Sequence, residues 1–379
     1  MQFFLLAAAV IAALACADPA GTALGGETYE TADKQAFKLE TVAGGLEVPW
    51  AMAWLPGGDM LVTERPGRVR LIEKAGLRPE PVFVVPDVEP SSESGLMDIT
   101  VHPNFASNSF IYLSYAYDQD GKFVKIVRYR YAGGKFTEPT VVIALIPAAP
   151  NHAGSRVRFG PDGKLYITTG DSTDWQLAQD NNSLAGKTLR LNDDGTVPKD
   201  NPFVGKSGYR TEIWSTGHRN AQGLAWQPNT GLMFQSEHGP SQFEGKGGGA
   251  DEINIVEAGK NYGWPEIYGT RTKDGMVAPL LEYTPACAPA SAAFYTGDRL
   301  PAFKNDLFVG CLRGTRLIRI RLDGRKVISQ EDLLAGEVGR IRDVASGPDG
   351  LLYISTSNRD GRGTPGKDDD RILRLVPAK

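Results

Sequence analysis

The sequence is poor in histidine and cysteine and lacks any long helical or basic stretch, and each shortage removes a class of explanation. Four histidines and three cysteines stand among 379 residues. The cysteine spacing resembles no zinc signature. The formal net charge is −4, so no basic surface dominates. That sets aside nucleic acid as a partner, because phosphate binding needs clustered Lys and Arg. No charge block or low-complexity tail is present, and the densest run, Lys367-Asp368-Asp369-Asp370, reads as a solvated turn. No stretch sustains a helical period, which argues against an α/β fold. After Gly21 nothing approaches the roughly 20 apolar residues that span a bilayer, so the chain reads as not transmembrane.

Glycine, at 44 residues, and proline, at 25, are abundant and imply many tight turns. The length suits two average domains or one large all-β domain. Residues 1–17 are a different material. An apolar run without a charge, 3–15, leads into small residues, and both Ala13-Leu14-Ala15 and Ala15-Cys16-Ala17 read as cleavage sites. A secretory signal peptide over 1–17 is expected, with export to the periplasm or the medium, although no Lys or Arg precedes the run. Cys16 leaves a lipoprotein reading open. Residues 18–36 read as a linker, and 37–379 as the folded domain. In an exported chain Cys287 and Cys311 can pair as a disulfide; two separate buried thiols is the other reading.

The folded part repeats one unit. Strand–turn–strand segments fall at 51–63, 97–115, 157–169, 223–236, 292–310 and 344–356. Alternating third strands follow at 68–72, 126–131, 188–192, 252–256, 317–322 and 371–376. The turn is plainest in Gly160-Pro161-Asp162-Gly163 and Gly347-Pro348-Asp349-Gly350, where Asp-Gly between alternating strands favours a hairpin. Units of this kind at about 45 to 75 residues apart predict an all-β, six-bladed β-propeller of four-stranded antiparallel blades. Residues 37–42 precede the first unit and are placed to pair with the last blade, closing the ring. Function is then expected in loops at one mouth.

Those loops carry the chemistry. His102 sits in a turn between strands and reads as structural, while His218 and His238 lie in neighbouring loops. His152, in Pro150-Asn151-His152-Ala153-Gly154-Ser155-Arg156, precedes a strong strand, where it is either a general base or the histidine of a capped turn. Asp171 ends the same hairpin, so the spacing permits a carboxylate on the second imidazole nitrogen. Three loops collect cations and amides: 218–223, 311–314 and 340–343. Facing one mouth, they would suit a polyanionic ligand; scattered surface arginines is the plainer alternative. Glu237-His238-Gly239-Pro240 and Asp251-Glu252-Ile253-Asn254 offer turn carbonyls and carboxylates to calcium, without the EF-hand pattern.

Together these loops resemble the soluble quinoprotein glucose and aldose sugar dehydrogenases. The strings that carry the resemblance are Gly95-Leu96-Met97-Asp98, residues 151–156, residues 213–223, residues 237–240, residues 251–254, Asn261-Tyr262-Gly263-Trp264-Pro265 and Arg340-Ile341-Arg342-Asp343-Val344, in the family's order from about residue 40 onward. The resemblance implies a propeller whose mouth binds pyrroloquinoline quinone (PQQ) and Ca2+, and which oxidises an aldose. It implies that His152 takes the proton of the anomeric hydroxyl, with Asp171 as its carboxylate partner. Arg219, Asn220 and Gln222 match residues around the reactive carbonyls, and Arg219 would stabilise charge developing on the quinone oxygen. Arg340 and Arg342 match cations around the cofactor's carboxylates. The carbonyls of Gly239 and Pro240 match ligands of the cofactor's calcium. Glu252 and the Tyr262 carbonyl match a separate structural calcium, with Asp251 in the same loop. An external electron acceptor, a quinone, cytochrome or dye, is also implied.

Four positions depart from the family. Arg313 stands where Lys is usual, with different geometry toward a cofactor carboxylate. Glu93 stands where a Gln lies near the sugar. Asn151 replaces the Asp of the best-known glucose enzymes but fits the broader aldose branch. The segment 241–250 is an insert. Two other readings of the fold are a calcium-dependent sugar lactonase and a non-catalytic binding propeller.

Overall fold

The computed structural model describes residues 27–378. The expected leader, with Cys16 and its lipid-anchor reading, lies outside the described residues. The described chain is nearly all strand, arranged as six antiparallel sheets in a ring. The innermost strands are Pro49–Trp54, Leu96–Val101, Gly154–Phe159, Ala221–Trp226, Pro289–Phe294 and Ile341–Ser346. Each packs against the next, and the last against the first, so the repeats form a six-bladed propeller.

The hairpins have a local cause. In Gly160-Pro161-Asp162-Gly163, Gly163 takes the left-handed conformation (φ 71°), and the Asp162 carboxylate accepts from the Lys164 amide at 3.0 Å and the Tyr166 hydroxyl at 3.0 Å. The sixth blade repeats the device. Gly350 has φ 77°, and Asp349 accepts from the Leu351 amide at 3.2 Å and the Tyr353 hydroxyl at 2.7 Å.

Closure is by the strand expected for it. Ala36–Ala43 pairs antiparallel with Ile372–Pro377, setting Leu39 opposite Leu375 and Thr41 opposite Leu373. A short strand, Tyr29–Glu30, pairs outside it, so part of the stretch read as linker is structured. Phe37 and Leu39 bury their side chains between the fifth and sixth blades.

All six inner strands start at the same mouth, and their ends line a 570 Å³ cavity at the opposite end of the channel. Between the two, the channel is plugged. Arg156 pairs with Asp98 at 3.0 Å and Asp343 at 3.1 Å, and lies 4.5 Å from the centre of the Trp50 ring. All four side chains are fully buried. A buried cation held by two carboxylates from different blades fixes a rigid floor beneath the mouth.

Only half of the run 367–370 is the solvated turn expected: Lys367 and Asp368 are exposed, but Asp370 is fully buried and Asp369 nearly so. Asp370 accepts from the amides of Val48 at 3.2 Å and Asn358 at 2.5 Å, which ties the last loop to the first blade. The disulfide reading also fails. Cys287 and Cys311 are both free, buried thiols in the described structure, and burial with the neighbouring Cys311 sulfur pushes the Cys287 thiol up. Among the described residues no helix is long and apolar enough to cross a membrane.

Candidate active site

The mouth holds a 310 Å³ pocket lined by residues of loops from around the ring, among them Glu93, His152, Arg219, His238, Arg313 and Arg340. The loops expected to carry chemistry therefore do face one mouth.

His152 stands at its base. Its backbone has φ 57°, a strained conformation for a residue with a Cβ, of the kind that gathers at functional sites. Its position depends on a close approach: a Cβ on Gly170 would lie 1.8 Å from the His152 carbonyl oxygen, so only glycine fits there. His152 Nδ1 lies 2.7 Å from Asp171 Oδ1. Asp171 is fully buried and accepts from Trp264 Nε1 at 2.8 Å and from the Thr173 amide at 2.8 Å. A carboxylate only accepts, so Nδ1 carries the proton and Nε2 keeps its lone pair. Arg219 confirms that tautomer by donating to Nε2 at 2.9 Å. The capped-turn alternative gives way to a buried, oriented imidazole that faces the pocket.

Arg219 is held from several sides. It donates to Glu244 at 3.2 and 2.9 Å, to the His238 carbonyl at 3.1 Å and to Ser241 Oγ at 3.2 Å. Its guanidinium lies 5.4 Å from the Trp264 ring centre. The insert 241–250 is thus part of the site, since Glu244 and Ser241 belong to it. Asn220 accepts from the Gly154 amide at 3.1 Å and reaches Glu93 at 3.4 Å. Gln222 accepts from Arg342 at 2.7 Å.

The cations follow the inner strands. Arg340 pairs with Asp360 at 2.8 Å. Arg342 is buried; desolvation, with Arg340 and Arg65 nearby, pushes its guanidinium down to about 10 despite Asp360. Arg313 lines the pocket exposed, without a polar partner among the described residues. Burial would raise the Glu93 carboxyl, but His238 and His152 in their protonated forms, together with Arg362, outweigh it and hold it at about 2. Burial also pushes His238 down to about 3, aided by Arg219 and Arg342, so its imidazole is neutral.

The calcium candidates divide. Gly239 and Pro240 line the pocket. Asp251 lines it too, but its oxygens accept from the amides of Gly239 at 2.7 Å, Cys287 at 2.6 Å and Ala288 at 2.7 Å. Behind the pocket a cavity of about 10 Å³ is bounded by Glu237, Glu252, Tyr262 and Trp264. There Asn254 Nδ2 donates to Glu237 at 2.7 Å and Glu252 at 3.0 Å, while Asn254 Oδ1 is buried without a partner. Burial and Glu237 push the Glu252 carboxyl up to about 8. The Tyr262 hydroxyl donates to the Ile255 carbonyl at 2.6 Å.

Three members were not singled out by the sequence reasoning. Trp264 lay in a family string without a role. Asp360 and Arg362 lie in Arg359-Asp360-Gly361-Arg362-Gly363, which has the composition of an ordinary turn. Asn151 sits at the rim, accepting from Arg362 at 2.9 Å. His102 is remote and structural as expected, its Nδ1 accepting from the Asn104 amide at 2.9 Å.

The site is a propeller mouth in which an oriented histidine lies beside a cluster of arginines, an arrangement able to hold an anionic ligand. Residues 46–373 match the family model described as glucose / sorbosone dehydrogenase. The chain belongs to that family. It is 37% identical to the aldose sugar dehydrogenase YliI of Escherichia coli, over 85% of this chain and 91% of that protein. The quinoprotein glucose dehydrogenase B of Acinetobacter calcoaceticus is 28% identical over 92% of this chain and 90% of its own. The PQQ-bound aldose sugar dehydrogenase of Streptomyces coelicolor superposes with a TM-score of 0.79 at 36% identity, covering 90% of this chain and 98% of that one.

Proposed function

We propose that this chain is an exported PQQ-dependent aldose sugar dehydrogenase, which oxidises the anomeric carbon of an aldose to the lactone. The observation that carries the reading is His152, with its proton fixed on the Asp171 side and its free nitrogen directed into an arginine-lined pocket. The domain would span 37–379, and reduced cofactor would pass its electrons to an external acceptor.

The residues present fit the cofactor. PQQ carries three carboxylates, and Arg219, Arg313, Arg340 and Arg342 surround or underlie the pocket. His238 Nε2 and Arg342 Nε are buried without hydrogen-bond partners, as expected of groups that await a ligand's acceptors. A 310 Å³ pocket is within the range for a small cofactor. The same pocket presents the carbonyl-bearing turn at Gly239-Pro240 to a calcium. When bound, the quinone is the hydride acceptor and calcium polarises its carbonyl.

The chain's own residues do the rest. His152 Nε2 accepts the proton of the anomeric hydroxyl, and Asp171 steadies the imidazolium that results. Trp264 holds Asp171 from its other oxygen and packs beneath Arg219. Arg219 exchanges its bond to His152 for the developing negative charge beside it. Asp251 ties the Gly239 turn to the 287–288 loop and shapes the calcium-facing wall. Glu252, Glu237 and Asn254 would hold a second, structural calcium in the small cavity behind. The lactonase reading needs side-chain ligands converging on one central metal. It also leaves the arginines that line the pocket without a role.

The test is reconstitution of residues 18–379 with PQQ and calcium, followed by a panel of aldoses. Reduction of the bound cofactor's absorption spectrum by any aldose is expected. Cofactor binding without reduction by any sugar would remove the substrate assignment, and absence of binding would remove the cofactor.

A further inference from the structure

The loop 357–371 leads into the last strand of the ring and passes over the mouth. It is anchored from beneath: Asp369 accepts from Asn358 Nδ2 at 2.9 Å and the Gly366 amide at 2.7 Å, and Asp370 binds the Val48 amide. Asp360 reaches inward to Arg340. Arg362 reaches across the mouth instead. It forms an ion pair with Glu93 and donates to Asn151 Oδ1 at 2.9 Å and Ser92 Oγ at 3.3 Å. It lies beyond the last motif of the family resemblance, which ends at Val344.

The pair accounts for the departure at position 93. A glutamine there presents one acceptor and one donor, whereas a carboxylate only accepts. The two Glu93 oxygens are divided. Oε2 faces the His152 amide and Asn220 Nδ2, both at 3.4 Å, and Oε1 faces Arg362. The arginine fork returns the missing donor and cancels the charge that a bare carboxylate would place beside the base. Vicinal sugar hydroxyls each both donate and accept, so a carboxylate–guanidinium pair suits them. Arg362 is about half exposed, with 48% of its side chain accessible, and lines the outer part of the pocket that Arg219, Arg313 and Arg340 also line.

We infer that Arg362 determines sugar specificity, positioning Glu93 and binding the hydroxyls of the aldose at the rim, where its loop meets Ser92 and Asn151. This rests on the aldose-oxidation reading above. The test compares Arg362→Ala, Arg362→Lys, Glu93→Gln and the Arg362→Ala/Glu93→Gln double variant, each loaded with PQQ and calcium. Cofactor affinity, read by absorbance titration, should be unchanged in all four. Arg362→Ala should raise KM for preferred aldoses about tenfold or more with kcat within about threefold, a loss of binding energy shared by ground and transition states. Arg362→Lys should fall between, since it keeps the charge and loses the fork. The double variant should recover part of the loss but not all of it, because a glutamine needs no counter-charge while the guanidinium's own bonds to the sugar are still missing. An Arg362→Ala enzyme that matches the parent sugar for sugar overturns this inference alone. Loss of cofactor binding in Arg362→Ala also overturns it, by making the residue part of the cofactor's own cradle. A parent protein that turns over no aldose overturns the aldose reading, and this inference with it.

Discussion

At the scale of single residues, the site rests on one imidazole whose two nitrogens have different partners. His152→Ala is expected to lower turnover by about 10²- to 10⁴-fold, the usual worth of a positioned base, while PQQ titration remains as in the parent. Retained turnover would remove His152 from its role. Trp264→Phe keeps the ring beneath Arg219 but removes the donor to Asp171, and kcat should fall about tenfold with little change in KM. Glu93 makes a different prediction. Its carboxyl sits at about 2 when folded, below its ordinary 4.5. The stabilisation this represents is fully present above pH 4.5 and is lost as pH falls toward 2, because the unfolded chain takes up the proton first. The melting-temperature advantage of the parent over Glu93→Gln should therefore shrink between pH 5 and pH 3. A constant difference would show that the carboxylate is not held by its cations. His152 and Asp171 were legible in the sequence because one hairpin joins them. Trp264 was not, since its partner lies 93 residues away and only the ring brings them together. Arg362 was hidden by its setting among glycines, which marks a turn and says nothing of where the turn points.

Elements were easier to read than residues. The Gly-Pro-Asp-Gly turns encode their own geometry, so the hairpins at 154–169 and 341–356 could be placed within a few residues. The closing strand was also legible, because 37–42 alternates and has no partner in its own unit. Its removal tests the ring: deletion of residues up to 43 would expose the edge of Ile372–Pro377 and empty the space of Phe37 and Leu39. A melting temperature lower by about 10 °C or more is expected by calorimetry. An unshifted transition would mean that the remaining blades close without it. The second half of 367–370 was misread because a buried carboxylate needs partners that the run itself does not show. For Asp370 they are the amides of Asn358 and Arg359, from the start of the same loop, and of Val48, 322 positions away, which give it the bonds that solvent would have supplied.

For the whole molecule, the open question of stability concerns calcium. The Glu237–Glu252 pair is buried with one amide between the carboxylates and an unpartnered oxygen beside them. Two acids so placed repel unless a cation or a proton lies between. Chelation with EDTA should lower the melting temperature of the PQQ-free protein, and added calcium should restore it. An unchanged melting curve would count against both calcium sites. The six-fold architecture was legible from the repeats, but the shared mouth was not, because spacing along the chain does not say which ends of the strands lie together.

The bond between Arg362 and Glu93 spans 269 positions of sequence, from the second blade's approach to the last strand of the ring. During synthesis Glu93 leaves the ribosome long before Arg362 exists, and the pocket lacks one wall until the final turn of chain is in place. Sugar oxidation is then a report on completion: a chain that stalls or is clipped before its last twenty residues lacks both Arg362 and Ile372–Pro377, the strand that closes the ring.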